Sequence, residues 1–499
     1  MTIPNSQTEH FDVLIVGAGI SGIGAAYHLQ TQCPGKTFAV LESQDSFGGT
    51  WRTHRYPGIR SDSDLFTFGY RFKPWQGAPI ATADEILKYM GDVIEENQLA
   101  RHVRYGHQIL TAAWSSAQKR WLIAAMRLLP GQTEPQLVHI SAQFLWMCQG
   151  YYRHTGGYTP TWPGMDSFKG QIIHPQSWPE DTDLTGKKVV VIGSGATAAT
   201  VVPAVAGKCA HVTMLQRSPT YFITGRNVNE LVSNLRQIDI DPMWIHEIAR
   251  RRILFDQAAF TRRCLAEPEL VTRDLLLGVR TALGPGFEEV VDQHFTPNYR
   301  PWRQRIAFVP DADLFKAIRE GHASVVTGEI DHFTPQGIQL KSGQTLDADV
   351  VVTATGFNLN VLGDIEFSVD GQALDFAKTI TYRGAMFTGI PNMTWVFGYF
   401  RASWTLRTDL LGDFVCRLLQ HMDTQGASVV TPRLRAQDQN MTLMPWVDPE
   451  NFNPGYLARG MGQLPQQGDH LPWLHGQDYW TEKDALPLVD LDDGTLTYA

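Results

Sequence analysis

The stretch Gly17-Ala18-Gly19-Ile20-Ser21-Gly22 follows the apolar run Phe11–Val16 and precedes a segment of helical character, Ile23–Gln30. The first glycine permits a tight turn, the second lets a pyrophosphate approach the backbone, and the third lets the helix pack against the strand. The positive end of the helix then faces the phosphates. A second strand is predicted at Lys36–Glu42, so the chain opens with a βαβ unit of the kind that binds a dinucleotide.

A carboxylate stands at the end of that second strand. Glu42 lies twenty residues after Gly22. At this position a carboxylate holds the ribose hydroxyls of a bound dinucleotide. The alternative, a glycine-rich turn without a ligand, is disfavoured because a strand precedes the glycines and a helix follows them.

A second unit of the same kind begins at Lys187. Val189–Ile192 is a continuous aliphatic strand, typical of a parallel sheet buried on both faces. The fingerprint Gly193-Ser194-Gly195-Ala196-Thr197-Ala198 follows, and alanine is tolerated in place of the third glycine. The next strand, His211–Gln216, ends at Arg217-Ser218 without an acidic residue. An arginine there suits a 2′-phosphate, so NADPH is favoured over NADH, although a solvated arginine is the alternative.

Two dinucleotide sites in one chain indicate a flavin and a nicotinamide cofactor. The segment 227–284 is rich in Leu, Arg and Glu at helical spacing, and the last hundred residues have weak periodicity. We therefore predict an α/β fold with two Rossmann-like dinucleotide-binding domains and a helical insertion. The predicted domains are 1–150 with 381–499 for FAD, 151–226 with 301–380 for NADPH, and 227–300 for the helical insertion.

Composition excludes several classes of protein. The chain has 499 residues, 43% hydrophobic and 19% charged, which is ordinary for a globular protein of two or three domains. Its net charge of −9 and the lack of a basic stripe argue against nucleic acid. The five scattered cysteines exclude a disulfide reductase or a zinc knuckle, predict no metal site and fit a reducing compartment. The apolar run Val13–Ala26 is too glycine-rich and too short to span a membrane, so a cytoplasmic enzyme is predicted.

Two longer patterns resemble a known family. The stretch Phe168–Pro179 is similar to the fingerprint F-x-G-x-x-x-H-x-x-x-W-P of type I Baeyer–Villiger monooxygenases, which are class B flavoprotein monooxygenases. Its marked positions are Phe168, Gly170, His174, Trp178 and Pro179, and a second family pattern is complete in Gly49, Trp51, Tyr56, Pro57, Gly58 and Asp62. The segments 62–67 and 402–406 resemble the branch of ethionamide-activating monooxygenases. For His174 a structural or hinge role is favoured over proton donation.

The resemblance implies an activity. Such enzymes use FAD, NADPH and molecular oxygen to convert ketones to esters or lactones through a flavin peroxide, with sulfides as further substrates. The active-site arginine of the family maps to Arg305, and Asp62 maps to the carboxylate that orients it. Arginine suits this role because it stays protonated and stabilises an anionic oxygen. A surface arginine among Arg300 and Arg303 is the alternative, and Gln304 replaces a lysine of many members, which makes NADPH binding depend more on Arg217.

The remaining site residues are carried over in the same way. The resemblance implies FAD contacts from Gly17, Gly19, Ser21, Gly22, Glu42, Gly49, Thr50, Trp51, Asp62 and the main chain near Ile109; NADPH contacts from Arg60, Gly193, Ser194, Gly195, Thr197, Arg217 and Ser218; and a substrate pocket with Arg401 and Trp404. Two other functions stay open. One is an N- or S-oxygenating flavin-containing monooxygenase, whose family carries Tyr or Phe at the position of Trp178. The other is a flavin-binding sensor without catalysis.

Overall fold

The first βαβ unit forms as the sequence predicts. The computed structural model describes residues 8–499, so residues 1–7 of the predicted FAD domain lie outside it. The strand Glu9–Val16 is followed by the helix Ile20–Gln32 and the strand Phe38–Leu41. The two strands pair in parallel, with Val16 opposite Leu41. Phe38–Leu41 is buried throughout, which explains its unbroken apolar sequence.

This unit lies toward one edge of a nine-stranded sheet. Gln136–Met147 pairs in parallel with the first strand on its other side. The sheet runs in the order Gln372–Ala373, Glu366–Val369, His107–Ser115, Arg120–Arg127, Gln136–Met147, Glu9–Val16, Phe38–Leu41 and Val103–Arg104, and Met393–Trp395 also pairs with Gln136–Met147.

One part of the predicted domain division is wrong. Glu366–Val369 pairs in parallel with His107–Ser115 and therefore belongs to the first sheet, whereas the prediction assigned residues 301–380 to the NADPH domain. The physical reason is that this strand completes the edge of the sheet, a pairing between segments about 255 residues apart that no local pattern reveals. The other domain boundaries stay a prediction.

The second glycine loop lies in a five-stranded parallel sheet. Its order is Ala323–Thr327, His211–Gln216, Lys188–Ile192, Val350–Thr353 and Gln171–Ile173. The helix Ala196–Val205 follows the central strand. The predicted α/β fold class is confirmed. Between residues 227 and 300 the chain forms the helices Glu230–Gln237, Pro242–Ala266, Pro268–Leu283 and Glu288–His294.

A long helix in the C-terminal region was not predicted. Trp404–Gln425 packs against Ile20–Gln32, and buried residues follow one another along most of its length. A helix buried on nearly all sides has no amphipathic period, which explains the weak sequence signal. The remaining α-helices are Thr50–Thr53, Leu65–Phe68, Ala83–Glu96, Asp313–Arg319, Gly455–Gly460 and Tyr479–Ala485.

The smaller sheets and the 3-10 helices complete the fold. The smaller sheets contain Phe222–Gly225 with Ala307–Pro310; Ile330–Thr334, Gly337–Leu340 and Thr345–Asp347; Thr381–Tyr382 with Met386–Phe387; Val430–Pro432 with Leu496–Tyr498; and Met444–Pro445 with Gln466–Gln467. The 3-10 helices are Leu99–His102, Met165–Ser167, Pro175–Ser177, Phe376–Lys378, Ala436–Asp438, Met461–Gln463 and Leu486–Leu488. Among the described residues, no helix has the length and apolarity that crossing a bilayer requires.

Candidate active site

The first glycine loop is closely packed. Gly17 has φ +99°, and a Cβ there would lie 2.8 Å from the carbonyl oxygen of Cys148. A Cβ at Gly22 would lie 1.8 Å from the carbonyl oxygen of Gly17. The helix begins after Gly19, and no side chain caps its N-terminus. The loop therefore presents its first-turn amides to a ligand, as the binding of a pyrophosphate requires.

The carboxylate of Glu42 is held against this loop. Its Oε2 accepts a hydrogen bond from the amide of Ala18 at 2.8 Å, and its Oε1 accepts one from the amide of Gln44 at 2.8 Å. The side chain is buried. The amide of His107 donates to the main-chain oxygen of Glu42 at 2.8 Å, so the strand that carries Ile109 begins beside this carboxylate. A ribose and an adenine fit this arrangement of acceptor and strand.

A second glycine pair closes over the first loop. The amide of Gly48 donates to the carbonyl of Ala18 at 3.0 Å. Gly49 has φ +54°, and a Cβ there would lie 3.1 Å from the Cα of Gly19. The short helix Thr50–Thr53 follows, so the predicted FAD contacts Thr50 and Trp51 come next to the first loop. The two glycine segments approach each other this closely because they carry no Cβ atoms. Their bare backbone fits the close approach of a dinucleotide.

The second glycine loop is more open. Gly193 has φ +137°, and a Cβ there would lie 2.3 Å from the carbonyl oxygen of Ala354. A Cβ at Gly195 would meet nothing within 4 Å. The hydroxyls of Ser194 and Thr220 are 2.8 Å apart. Thr197 lies in the first turn of the helix that follows, whose N-terminus has no side-chain cap. This loop also fits a dinucleotide phosphate.

The two arginines predicted to bind NADPH differ in their partners. Arg217 is exposed at the end of its strand, next to Ser218, and forms no salt bridge with the described residues. Arg60 forms a two-bond ion pair with Asp313, at 2.5 Å and 3.2 Å. Arg217 is thus available to a phosphate, whereas Arg60 would have to exchange Asp313 for it.

Arg305 and Asp62 form the predicted ion pair. The Nε of Arg305 lies 2.8 Å from Oδ2 of Asp62, and its Nη2 lies 3.0 Å from Oδ1. These bonds use two of the five N–H donors of the guanidinium, which is partly exposed. Asp62 raises the pKa of Arg305, so the positive charge is permanent. The chain just before it is unusual, because Trp302 adopts the left-handed φ of +63°.

Three tyrosines that the sequence did not indicate lie near this pair. The hydroxyls of Tyr151 and Tyr152 are 2.5 Å apart, and the ring of Tyr456 lies 6.1 Å from that of Tyr151. After Asp62, these phenols are the groups that raise the pKa of Arg305 most. Burial in turn raises the pKa of all three tyrosines. The adjacent tyrosines just after a strand end were the only sequence signal for the cluster.

Trp404 connects the tyrosine cluster with the first glycine loop. Its ring stacks on Tyr151, with centroids 4.9 Å apart, and its Nε1 donates to the hydroxyl of Ser21 at 2.8 Å. Arg401 instead donates from Nη2 to the carbonyl and side-chain oxygens of Asn451, at 2.6 Å and 2.8 Å. Arg300 binds the same Asn451. Arg401 therefore holds the loop around Asn451, and the substrate-pocket roles of Arg401 and Trp404 stay predictions.

His174 of the fingerprint contacts two other segments of the chain, at Gly157 and at Gly356. Its Nδ1 accepts from the amide of Gln176 at 3.2 Å, so Nε2 carries the proton and donates to the carbonyl of Gly356 at 3.1 Å. Burial lowers its pKa and keeps it neutral. A Cβ at Gly157 would overlap the imidazole ring. These contacts are those of a structural or hinge residue.

The other fingerprint residues occupy packing positions. Phe168 is buried and meets Phe333 edge to face, at 5.9 Å between ring centroids. A Cβ at Gly170 would lie 2.2 Å from the carbonyl oxygen of Asp349. Trp178 packs against the core around the second parallel sheet. Pro179 accepts a hydrogen bond from Thr182. The fingerprint thus marks a packed junction.

Family models match the first half of the chain, and relatives match nearly all of it. Residues 15–73 match an NAD(P)-binding Rossmann-like domain, and residues 81–231 match a flavin-binding monooxygenase-like family. The putative FAD-containing monooxygenase MymA of Mycobacterium tuberculosis is 44% identical over 99% of this chain and 98% of its own length. The FAD-containing monooxygenase EthA of Mycolicibacterium smegmatis is 43% identical over the same shares.

Solved structures share the fold. A steroid monooxygenase bound to NADP superposes with a TM-score of 0.74 at 22% identity, covering 98% of this chain and 99% of that one. A cyclohexanone monooxygenase gives a TM-score of 0.74 at 19% identity, covering 99% and 100%. The fold, the two glycine loops and these relatives define a flavin-dependent monooxygenase. The chain belongs to the family of FAD-containing monooxygenases that includes MymA and EthA, which confirms the predicted resemblance.

Proposed function

We propose that this monooxygenase uses FAD and NADPH to convert ketones to esters or lactones. The observation that carries the proposal is the ion pair of Arg305 with Asp62 beside the tyrosine cluster. Trp404 links that cluster to Ser21 of the first glycine loop, so a permanent positive charge lies on the side of the fold where a flavin would bind.

The chemistry needs this charge. FAD, reduced by NADPH, supplies the activated oxygen when it is bound. Attack on a ketone carbonyl places negative charge on the carbonyl oxygen, and a carbon substituent then migrates to the inserted oxygen. Overall, ketone, oxygen, NADPH and a proton give ester, NADP⁺ and water. The free N–H donors of Arg305 stabilise the negative charge, because they belong to a permanently charged group that Asp62 already holds in place.

The other groups have supporting roles. Asp62 binds two donors of Arg305 and so orients the remaining ones. Tyr151, Tyr152 and Tyr456 lie near the guanidinium, and their phenols add to the raised pKa of Arg305. A sulfide has no carbonyl oxygen on which negative charge could develop, so Arg305 favours ketones as the principal substrates and leaves sulfides as secondary ones.

The cofactor contacts follow from the two loops. For FAD we propose Gly17, Gly19, Ser21, Gly22, Glu42, Gly49, Thr50, Trp51, Asp62 and the main chain near Ile109. For NADPH we propose Gly193, Ser194, Gly195, Thr197, Arg217 and Ser218, with Arg60 as a contact that requires exchange of Asp313. A cytoplasmic location remains part of the proposal.

A paired substrate assay tests the function. The FAD-loaded enzyme is given NADPH, oxygen and a panel of linear, cyclic and aromatic ketones, with sulfides of matched size in parallel. We expect oxygen-dependent NADPH consumption that at least one ketone stimulates, and ester formed in proportion to the NADPH consumed. Sulfoxide formation without ester from any ketone would instead support an S-oxygenating enzyme. No oxygen-dependent NADPH consumption with any substrate would support a flavin-binding sensor.

A further inference from the structure

Exposed apolar side chains concentrate in the helical insertion. Nine of the seventeen exposed large hydrophobic residues in the described chain lie between Val228 and Leu277, although this segment is a tenth of the sequence. The most exposed of the nine are Ile238 at 67% and Trp244 at 66%. Exposed apolar residues in such density mark an interaction surface.

The helix Pro242–Ala266, called here the insertion helix, carries the centre of this surface. Trp244, Ile248 and Phe255 are 66%, 37% and 55% exposed. Their spacings of four and seven place them on one face of the helix. Arg251 and Arg262 are exposed and fall on the same face. We call this stripe of Trp244, Ile248, Arg251, Phe255 and Arg262 the outer face.

The opposite face of the insertion helix is fixed to the protein. Arg250 donates from Nη1 to the carbonyls of Phe66 and Gly69, at 2.8 Å and 2.9 Å. Trp480 donates from Nε1 to the carbonyl of Leu254 at 3.2 Å. The buried residues of this opposite face also include Ile245, His246, Ala249 and Cys264. The helix therefore cannot turn its outer face inward, and the apolar residues on that face stay in contact with solvent or a partner.

The charge of the insertion helix differs from that of the chain. The helix holds five arginines, of which Arg250 is buried, against Glu247 and Asp256, so its remaining charges sum to +2 without histidine, whereas the chain carries −9. The exposed ion pairs of Arg251 with Glu247 and of Arg252 with Asp256 are of the weak, solvent-screened kind. The outer face is thus apolar, aromatic and basic, a combination that suits an anionic surface with an apolar interior.

We propose that the outer face binds the surface of an anionic lipid bilayer, with the insertion helix lying in the plane of the interface. Trp244 and Phe255 then enter the headgroup boundary, where aromatic rings are favoured, and the arginines meet lipid phosphates. A symmetric contact with a second copy would place one basic face against another and is electrostatically unfavourable. A bilayer supplies the opposite charge.

Flotation with lipid vesicles tests this surface. The FAD-loaded protein is mixed with vesicles of phosphatidylglycerol and phosphatidylcholine in equal parts, or of phosphatidylcholine alone. We expect the protein to float with the first and much less with the second. The double variant Trp244→Ser/Phe255→Ser should lower partitioning at least about tenfold. Arg251→Gln/Arg262→Gln should lower it about twenty-fivefold, from about fivefold per arginine.

Matched controls separate the surface from general effects. Leu488→Ser removes a side chain that is 83% exposed elsewhere, and Arg433→Gln removes an exposed charge outside the insertion. Both should partition as the unchanged protein, and all variants should keep its NADPH oxidation rate without vesicles. Failure to float with anionic vesicles, or equal partitioning of all variants, would overturn the proposal. A dimer in analytical sedimentation that becomes a monomer in the outer-face variants would also overturn the proposal, because the face would then join two copies.

Discussion

The two glycine loops follow the same strand, loop and helix plan but differ in how far the protein closes around them. At the first loop, Gly49 lies against Gly19 and the Glu42 carboxylate is buried. At the second, space surrounds Gly195 and Arg217 is exposed. A closed loop retains its dinucleotide through many turnovers, whereas an open one releases it after each. We therefore infer a resident FAD at the first loop and an exchanging NADPH at the second.

The largest expected effect comes from adding one methyl group to each loop. Gly17→Ala places a Cβ at φ +99° and 2.8 Å from a carbonyl oxygen, so it should destabilise the protein by about 1–3 kcal/mol or more and abolish FAD retention. Gly195→Ala meets no protein atom, so it should fold normally, keep FAD and lose NADPH affinity. Flavin absorbance of the purified variants and NADPH titration measure both. Equal loss of FAD in the two variants would remove the distinction between the loops.

Removing the charge beside the second loop should weaken only the use of NADPH. Arg217→Ala loses a charge-assisted phosphate contact of roughly 1.5–3 kcal/mol, so kcat/KM for NADPH should fall about ten- to a hundredfold. The value for NADH should change little, and FAD content should stay the same. Arg433→Ala, also at an exposed arginine, is the control. Unchanged preference for NADPH would show that another residue recognises the 2′-phosphate.

A substitution at the first loop should weaken FAD binding and leave NADPH binding unchanged. Glu42→Gln replaces one acceptor oxygen by an amide, which leaves the amide of Ala18 or of Gln44 without its acceptor. The variant also lacks the charge-assisted acceptor for the ribose hydroxyls, which is worth roughly 1.5–3 kcal/mol, so FAD should bind about ten- to a hundredfold more weakly. NADPH affinity of the FAD-reloaded variant should not change. The exposed Glu134→Gln is the control, and full FAD retention by Glu42→Gln would contradict the expectation.

Of the two helices that follow the glycine loops, only the first should make the stability of the protein depend on pH. Burial alone would lower the pKa of His28 on the first helix, but hydrogen bonds with Asp409 and Asp413 raise it to about 9. The helix Ala196–Val205 carries no titratable side chain. Because the folded pKa exceeds the unfolded value of 6.5, this contribution is complete below pH 6.5 and is lost as the pH rises through 9. The free energy of unfolding should fall by about 1–2 kcal/mol between pH 7.5 and 9.

Denaturant unfolding at several pH values checks this smallest effect. His28→Gln should flatten the pH dependence, because glutamine keeps hydrogen bonding without titrating. The exposed His332→Gln, whose partner Asp331 is also exposed, should leave it unchanged. A fall of the same size in His28→Gln would mean that other groups titrate in this range.

The parts of the fold that local sequence determines were predictable. Both glycine loops, their strands and helices follow from short-range steric rules at Gly17 and Gly193, and the strand His211–Gln216 has the predicted ends. The helix Trp404–Gln425 was not predictable because its sides are almost all buried. The edge strand Glu366–Val369 was missed because its partner is distant in sequence.

The candidate site was predictable only in part. The pairing of Arg305 with Asp62, which the resemblance implied, is present in the structure. Tyr456 joins Tyr151 only through the packing of segments about 300 residues apart, so neither spacing nor composition identified it. Arg401 was expected in the substrate pocket, but its contacts with Asn451 depend on a loop that has no sequence signature.

Separating the two half-reactions in Arg305→Ala tests the central claim most directly. Stopped-flow reduction by NADPH is followed by ester and hydrogen peroxide assays with one good ketone, and Arg303→Ala serves as the neighbouring control. The account predicts that Arg305→Ala binds FAD and is reduced by NADPH, but makes ester about a hundred- to a thousandfold more slowly and releases hydrogen peroxide instead. Asp62→Ala should impair the same step less. Near-normal ester formation by Arg305→Ala, or its loss in Arg303→Ala alone, would contradict the assignment.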